Sequence, residues 1–458
     1  MRNMANYRLR KGYDIRIEGQ AEKILETAPF PAAVGLYASD FYGMAPKALV
    51  DGGERVKVGT PLWHDRRRES LVVASPVSGT VTEVRRGARR ALEAVIVRTD
   101  GKQQAAKSAP PPKRTGPSNR KEIISALCAS GLFPLIRQRP FGTVADPLAE
   151  PRDIFVTAMD TSPLAPDQEL ILRGREREFR RGIEVLAALT TGKVHICTAG
   201  GMELDSHTSG LENIEHHQFT GPHPAGNAGV HIHHVAPIKG VDDVVWHCTA
   251  QGAILLGRYF ITNIPSFEVT VAVAGSAAAD RRHVRTLIGA EISSFARPND
   301  SSSPVRYISG NVLTGRNAGA DGFLGFSDSL VSLIPEARGK KFLGWLALGF
   351  SLESVSASFI SRFLPRRRFS IDSNRNGSVR AFVATGIYER LLPMDILPSF
   401  LLKSILAGDI EEMEKLGILE VTPEDFALCE YACPSKTDIQ RIIRDGIGLM
   451  LKETGETE

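Results

Sequence analysis

Ser75-Pro76-Val77-Ser78-Gly79-Thr80-Val81 reads as a tight turn delivering the chain into a strand. Proline presets one backbone angle, and glycine permits a close backbone approach. Outward from it the pattern repeats. Apolar stretches at 32–37, 71–74, 80–84 and 94–97 alternate with turn signals at Asp51-Gly52-Gly53 and Gly59-Thr60-Pro61. Short strands with regular punctuation predict a β domain over residues 1–105. From Gly101 to Pro117 the composition falls to proline, alanine and lysine, which marks a linker assigned to 106–120.

The glycine-punctuated run from Asp51 to Gly59, Pro61 and the P-x-S-G-x-V stretch together resemble the barrel-sandwich hybrid of biotinyl and lipoyl carriers. A carrier displays a lysine on a hairpin tip. The corresponding loop is His64-Asp65-Arg66-Arg67-Arg68-Glu69-Ser70, with no lysine. The resemblance therefore implies the fold without the swinging-arm chemistry.

Beyond the linker the texture changes. A helix is predicted over 122–130, ending at Gly131, then a strand at 154–158, a helix at 178–189 and a strand at 194–197 leading into Ala199-Gly200-Gly201. Alternating helix and strand argues for a parallel sheet, and a Rossmann-like α/β domain is expected over 121–262. Strand-forming pieces at 267–274, 313–315, 322–326 and 330–335 suggest a small mixed β-rich domain over 263–340. Residues 341–458 read as a helical C-terminal domain, with helices at 396–406, 410–416, 423–432 and 436–451. Thr422-Pro423-Glu424-Asp425 carries a helix start: a capping threonine, proline in the first turn, and acids beside the N-terminus. The fold class is thus α/β and α+β multidomain.

The 458 residues allow three or four domains. A net charge of +4 on such a chain does not argue for nucleic acid. Basic clusters at 66–68, 85–90 and 366–368 read as solvated loops, or as contacts for an acidic partner or anionic lipid. Five scattered cysteines, with no framework spacing, indicate a reducing compartment. The start is polar and basic, without the apolar core of a secretory signal. The most apolar stretch, 342–361, carries Glu353 and five serines, against the roughly 20 apolar residues of a membrane span. It is expected to be buried or interfacial, in a cytoplasmic protein that is at most membrane-associated.

Motif by motif, cofactor chemistry fails. Leu189-Thr190-Thr191-Gly192-Lys193 imitates the end of a phosphate-binding loop, but Ala187 stands where glycine is required and Val194 where Ser or Thr is required. No G-x-G-x-x-G exists. Histidines cluster at His216, His217, His223, His231, His233 and His234; in a strand, His231 and His233 would share one face, and a zinc site with His223 can be drawn. No H-E-x-x-H or cysteine pair supports it, so polar packing is the reading and no metal is expected. Cys429-x-x-x-Cys433-Pro434 has the tail spacing of a ferredoxin run, yet the two remaining cysteine positions hold Phe426 and Pro423. The motif is vestigial, and the cysteines are expected to ligate nothing.

Lys11-Gly12-Tyr13-Asp14-Ile15, Tyr42-Gly43-Met44-Ala45-Pro46, the Ser75 turn, Arg137-Gln138-Arg139-Pro140-Phe141, Val156-Thr157-Ala158-Met159-Asp160-Thr161, the run 189–194 and the run 219–229, containing Gly221-Pro222-His223-Pro224-Ala225-Gly226, occur in one order. In these motifs the chain resembles the A subunit of the bacterial Na⁺-translocating NADH:quinone oxidoreductase. The resemblance implies a six-subunit complex that passes electrons from NADH through flavins and iron–sulfur to ubiquinone and exports sodium. It implies a peripheral subunit on the cytoplasmic side of the bacterial inner membrane, partnered by the other five subunits and chiefly by the membrane-embedded B subunit. NADH, FAD, FMN, riboflavin and iron–sulfur would belong to the other subunits, with no cofactor tightly bound here, no catalytic residue, and ubiquinone as a candidate ligand.

The family is also similar to flavin- and NADH-binding respiratory subunits, whose glycine-rich loop follows a helix ending in glycine. Here that place reads Ile136-Arg137-Gln138-Arg139-Pro140-Phe141-Gly142, where arginines fill the space and Pro140 removes a donor. A quinone needs an apolar slot with a few donors. Phe41, Tyr42 and Met44 in one loop, and Arg137, Arg139 and Phe141 in another, are the candidate quinone-proximal or interface residues. The alternative function is a stand-alone NADH- or flavin-dependent dehydrogenase.

Overall fold

A computed structural model describes residues 5–107, 110–337, 339, 349–350, 352–356, 359–364, 366–383 and 385–455. Half of the apolar stretch at 342–361, including all of 342–348, lies outside these residues. Among the described residues, no helix is long and apolar enough to cross a membrane.

The Ser75 turn does what its composition predicts. Ser75 Oγ donates to the Val77 carbonyl at 2.8 Å, and Ser78 Oγ to Asp100 Oδ1 at 2.6 Å. A Cβ on Gly79 would lie 2.0 Å from the Arg98 carbonyl oxygen, so only glycine lets the two strands meet there. A four-stranded sheet (Ala33–Tyr37, Leu92–Thr99, Gly79–Arg86, Arg55–Val56) faces a three-stranded one (Pro46–Ala48, Pro61–Asp65, Val72–Ala74). Leu62, Trp63, Val73, Val77, Val81, Val95 and Val97 fill the space between them. The basic run at 66–68 is not a loose solvated loop. Arg68 Nε donates to the buried Asp65 at 2.8 Å and Arg68 Nη2 to the Gly43 carbonyl at 3.2 Å.

The second sheet has seven strands, in the order Ala5–Arg8, Ile214–Thr220, Val194–Ala199, Ile154–Ala158, Val245–Thr249, Arg137–Arg139, Thr143–Val144. The first five are parallel, and Arg137–Arg139 runs antiparallel to both of its neighbours. Helices Glu176–Ala187 and Ala250–Thr262 cover one face. They approach so closely that a Cβ on Gly257 would sit 1.8 Å from the Glu178 carbonyl oxygen. The helix Arg120–Ser130 ends at Gly131 with φ 74°, as its terminal glycine signals.

The third sheet runs Arg316–Asn317, Val305–Ser309, Leu330–Pro335, Glu268–Ala274, His283–Leu287, Leu25–Thr27. The pieces at 313–315 and 322–326 are turns and a bridge rather than strands. Residues 388–453 carry five α-helices, and their Leu401, Phe426 and Ile443 belong to the same apolar core as Phe155 and Phe219 from the seven-stranded sheet. Thr422 and Asp425 form a reciprocal capping box.

The opening segment also reaches beyond the barrel: Ala5–Arg8 pairs with Ile214–Thr220 and Leu25–Thr27 pairs with His283–Leu287. Parallel pairing leaves no local trace in the sequence, since partners sit some two hundred residues apart.

Candidate functional site

Leaving aside the edge strand Ala5–Arg8, the parallel strands order as third, second, first, fourth along the chain, so the connections diverge between Ile154–Ala158 and Val245–Thr249. Ligands of open α/β sheets bind outside the carboxyl ends of strands at such a point. A cavity of about 900 Å³ opens there. Its walls draw on the ends of both strands (Thr157, Met159, Asp160; His247, Thr249), the barrel loop at Tyr42, and Asp328 and Glu424 from the units that follow.

The two predicted loops meet at this cavity. Arg137 donates to the Asp40 carbonyl, and the Val144 N–H donates to the Tyr42 carbonyl at 2.9 Å. Gly43, at φ +88°, lies against Thr143 with no room for a Cβ. Tyr42, Arg137, Arg139 and Phe141 line the cavity. Phe41 does not: at 2% exposure it is locked in the core, 4.6 Å from the Phe326 ring and edge-on to Trp63 at 5.5 Å. Met44 packs on that same core and is also outside the lining.

Arg139 has a second task. Only 1% exposed, it reaches Asp425 Oδ2 and Glu424 Oε1, both at 3.4 Å, and the Glu420 carbonyl at 3.3 Å. It therefore ties the sheet to the C-terminal helices.

Sequence reasoning missed the other polar groups in the lining. Burial raises the Asp160 carboxyl, and burial together with Asp40 lifts Asp328 to about 6. Burial, then the charges of Arg139 and Arg137, hold His247 well below its ordinary range. These residues come from segments that look unrelated in sequence, and only the fold assembles them. Asp160, in the motif that closes the strand Ile154–Ala158, was the one within reach of a local signal.

The histidines do not share one face. His231 and His233 lie on the helix Ala228–Val235, not on a strand, so they point to different sides. His231 is wholly buried, its ring 4.4 Å from Phe219. His233 Nδ1 pairs with Glu420 at 2.8 Å and Nε2 accepts from the Asp395 N–H at 2.9 Å. Both nitrogens are occupied, and no shared site with His223 forms. Cys429 and Cys433 are buried in the C-terminal core, where Tyr388 OH donates to Cys433 Sγ at 3.0 Å.

Residues 7–100 match the family model described as the NqrA N-terminal barrel-sandwich hybrid domain, 118–263 the NqrA second alpha/beta domain, and 270–320 the NQRA C-terminal domain. The chain is 36% identical over 447 residues to the A subunit of the Na(+)-translocating NADH-quinone reductase of Neisseria gonorrhoeae, covering 97% of this chain and 99% of that protein. The chain belongs to the NqrA family. Other NqrA relatives keep the same span: the protein of the same name from Serratia proteamaculans is 37% identical over 96% of this chain and 98% of its own, and that of Hahella chejuensis 37% over 97% and 99%. These NqrA relatives are named as one subunit of an oxidoreductase complex. A chain of the NAD+-reducing [NiFe]-hydrogenase in its air-oxidized state aligns at 12% identity and TM-score 0.38, over 73% of this chain and 62% of that one. That likeness is too loose to bear on function.

Proposed function

We propose that the chain is the peripheral NqrA subunit of a Na⁺-translocating NADH:ubiquinone reductase. It sits on the cytoplasmic side of the inner membrane, beside the membrane-embedded B subunit and the other four subunits, and supports electron transfer from NADH to ubiquinone coupled to sodium export. The observation that carries this reading is similarity to NqrA proteins over 97% of the chain. The same similarity favours membership of a complex over a stand-alone NADH or flavin dehydrogenase.

Within that role the cavity takes the quinone headgroup. Tyr42, Phe141, Met159 and Leu255 supply the apolar slot, and Arg137 is a donor for a quinone carbonyl. Asp160 and Asp328, with raised carboxyls, are groups able to hold a proton near a reduced ring. Replacing Arg137 by Ala in the assembled complex removes a charged donor, a change of about 1.5–3 kcal/mol. The apparent KM for quinone is expected to rise roughly 10–100-fold, with NADH oxidation by the flavin subunit untouched. Tyr42→Ala and Phe141→Ala should move it in the same direction. Unchanged KM in all three variants overturns the quinone reading, and failed assembly assigns the loops to an interface with a neighbouring subunit.

The chain carries no tightly bound redox cofactor of its own. The purified protein is expected to be colourless, and a Cys429→Ser/Cys433→Ser double variant to leave the complex's iron content and quinone reduction near normal. Two buried hydroxyls in place of thiols should lower its melting point, since burying a polar group costs about 1–3 kcal/mol. A visible chromophore surviving gel filtration, or iron lost from the variant complex, refutes this.

A further inference from the structure

Strand register brings together a ligand set that the sequence spacing conceals. His195 and Glu215 are paired neighbours on adjacent parallel strands, and His217 lies two residues beyond Glu215, so all three project from one face. His195 Nδ1 is 2.9 Å from His217 Nε2 and 3.6 Å from Glu215 Oε2, and His217 Nε2 is 3.9 Å from that same oxygen. Tetrahedral zinc with bonds of about 2.0–2.2 Å holds its ligand atoms roughly 3.3–3.6 Å apart. The three atoms bracket that spacing. Both histidines are buried, while Glu215 is half-buried at the rim, which leaves a fourth position toward solvent.

The surroundings suit the assignment. Asp153 Oδ1 stands 3.7 Å from His195 Nε2, on the far side of the ring from the cluster. A carboxylate there favours the tautomer with the proton on Nε2, with Nδ1 left free to ligate. Asp153 is itself held by the Lys193 N–H at 2.9 Å and by Arg152 Nε at 3.0 Å. Nδ1 of His217 has no hydrogen-bond partner among the described residues, so that ring's polar engagement is all at Nε2, toward the cluster. Lys193 pairs with Glu215 Oε1, leaving Oε2 to face the histidines.

We propose that His195, His217 and Glu215 form a binding site for a divalent transition-metal ion of the zinc class, with Asp153 as a positioning residue and water at the fourth place. The site pins the strands Val194–Ala199 and Ile214–Thr220 at their amino-terminal half, away from the cavity at the opposite ends. Neither nucleotide nor quinone chemistry is required of it.

The test uses the full chain, stripped with chelator and titrated with Co(II). One equivalent should give the intense visible bands of a tetrahedral site, and Zn(II) should displace it and raise the thermal unfolding midpoint. His195→Ala and His217→Ala should abolish the bands. Asp153→Asn should weaken binding about 10–100-fold, as loss of an outer carboxylate does. Lys193→Met, which removes a neighbouring positive charge, should tighten it. His233→Asn, at the unrelated pair with Glu420, should change nothing. If the histidine variants do not fold, Glu215→Gln at the rim carries the test: a folded Glu215→Gln protein that binds as wild type overturns the site. So does a wild-type chain whose Co(II) keeps the weak spectrum of the aqueous ion, which would leave the 2.9 Å contact as an imidazole–imidazole hydrogen bond.

Discussion

Arg139→Ala is expected to destabilise the chain by about 3 kcal/mol, the lower end of the roughly 3–5 kcal/mol found when one member of a buried ion pair is removed. The guanidinium is 1% exposed and its partner Asp425 also 1%, so deletion strands a carboxylate in the protein interior. The low end is appropriate because Asp425 retains other donors. Oδ2 accepts from the Thr422 N–H at 2.9 Å and hydroxyl at 3.1 Å, and Oδ1 from Asn227 Nδ2 at 3.1 Å. Urea denaturation of the isolated chain measures the cost. An Arg139→Met/Asp425→Leu double variant should not recover it fully, because Asp425 also caps the helix start at Thr422. A single-variant loss below about 1 kcal/mol would refute the clamp.

Acidification should unfold the chain through its buried histidines. His223 is depressed to about 4 and His231 to about 3, in both cases chiefly by burial. Above about pH 6.5 both are neutral in folded and unfolded chains, and their contribution is fully present. As the pH falls below that value the unfolded chain takes up protons that the folded one refuses, and stability is lost until the folded values are reached. Each histidine costs about 1.4 kcal/mol per pH unit, so the pair removes about 3 kcal/mol per unit between roughly pH 6 and 4. His231→Phe, stacking on Phe219, isolates half of this. Its advantage over wild type should grow steadily below about pH 6.5 and vanish above it. Parallel pH–stability curves for the two proteins would exclude the effect.

What could be read in advance was local. The Ser75 turn, the glycine after Ser130 and the threonine before Pro423 each satisfy their backbone within a few residues, so their chemistry is written beside them. Val230-His231-Ile232-His233 was open to either reading, because alternation over four residues fits a strand as well as a helix; burial of Val230 and Ile232 beside His231 decides for the helix. At the cavity, Tyr42 and Arg137 were legible as aromatic and charged residues in distinctive loops. Asp328 and His247 were not, since nothing near either in sequence marks it as facing the cavity. The His195–His217 contact depends on which strands are neighbours, which no periodicity reveals.

The opening thirty residues stitch the molecule like a basting thread. They supply an edge strand to the seven-stranded sheet, another to the six-stranded sheet, and only then enter the barrel. Cutting the chain at the linker near residue 106 would therefore not release two self-contained halves. The amino-terminal piece would carry off two strands with no sheet to join. The remainder would bare the backbone of Ile214–Thr220 and His283–Leu287, two long unprotected edges open to pairing with other chains. Synthesis runs into the same constraint: neither sheet can close until its last strands emerge and capture a segment made hundreds of residues earlier, so the newborn amino terminus must wait unpaired while most of the protein is built.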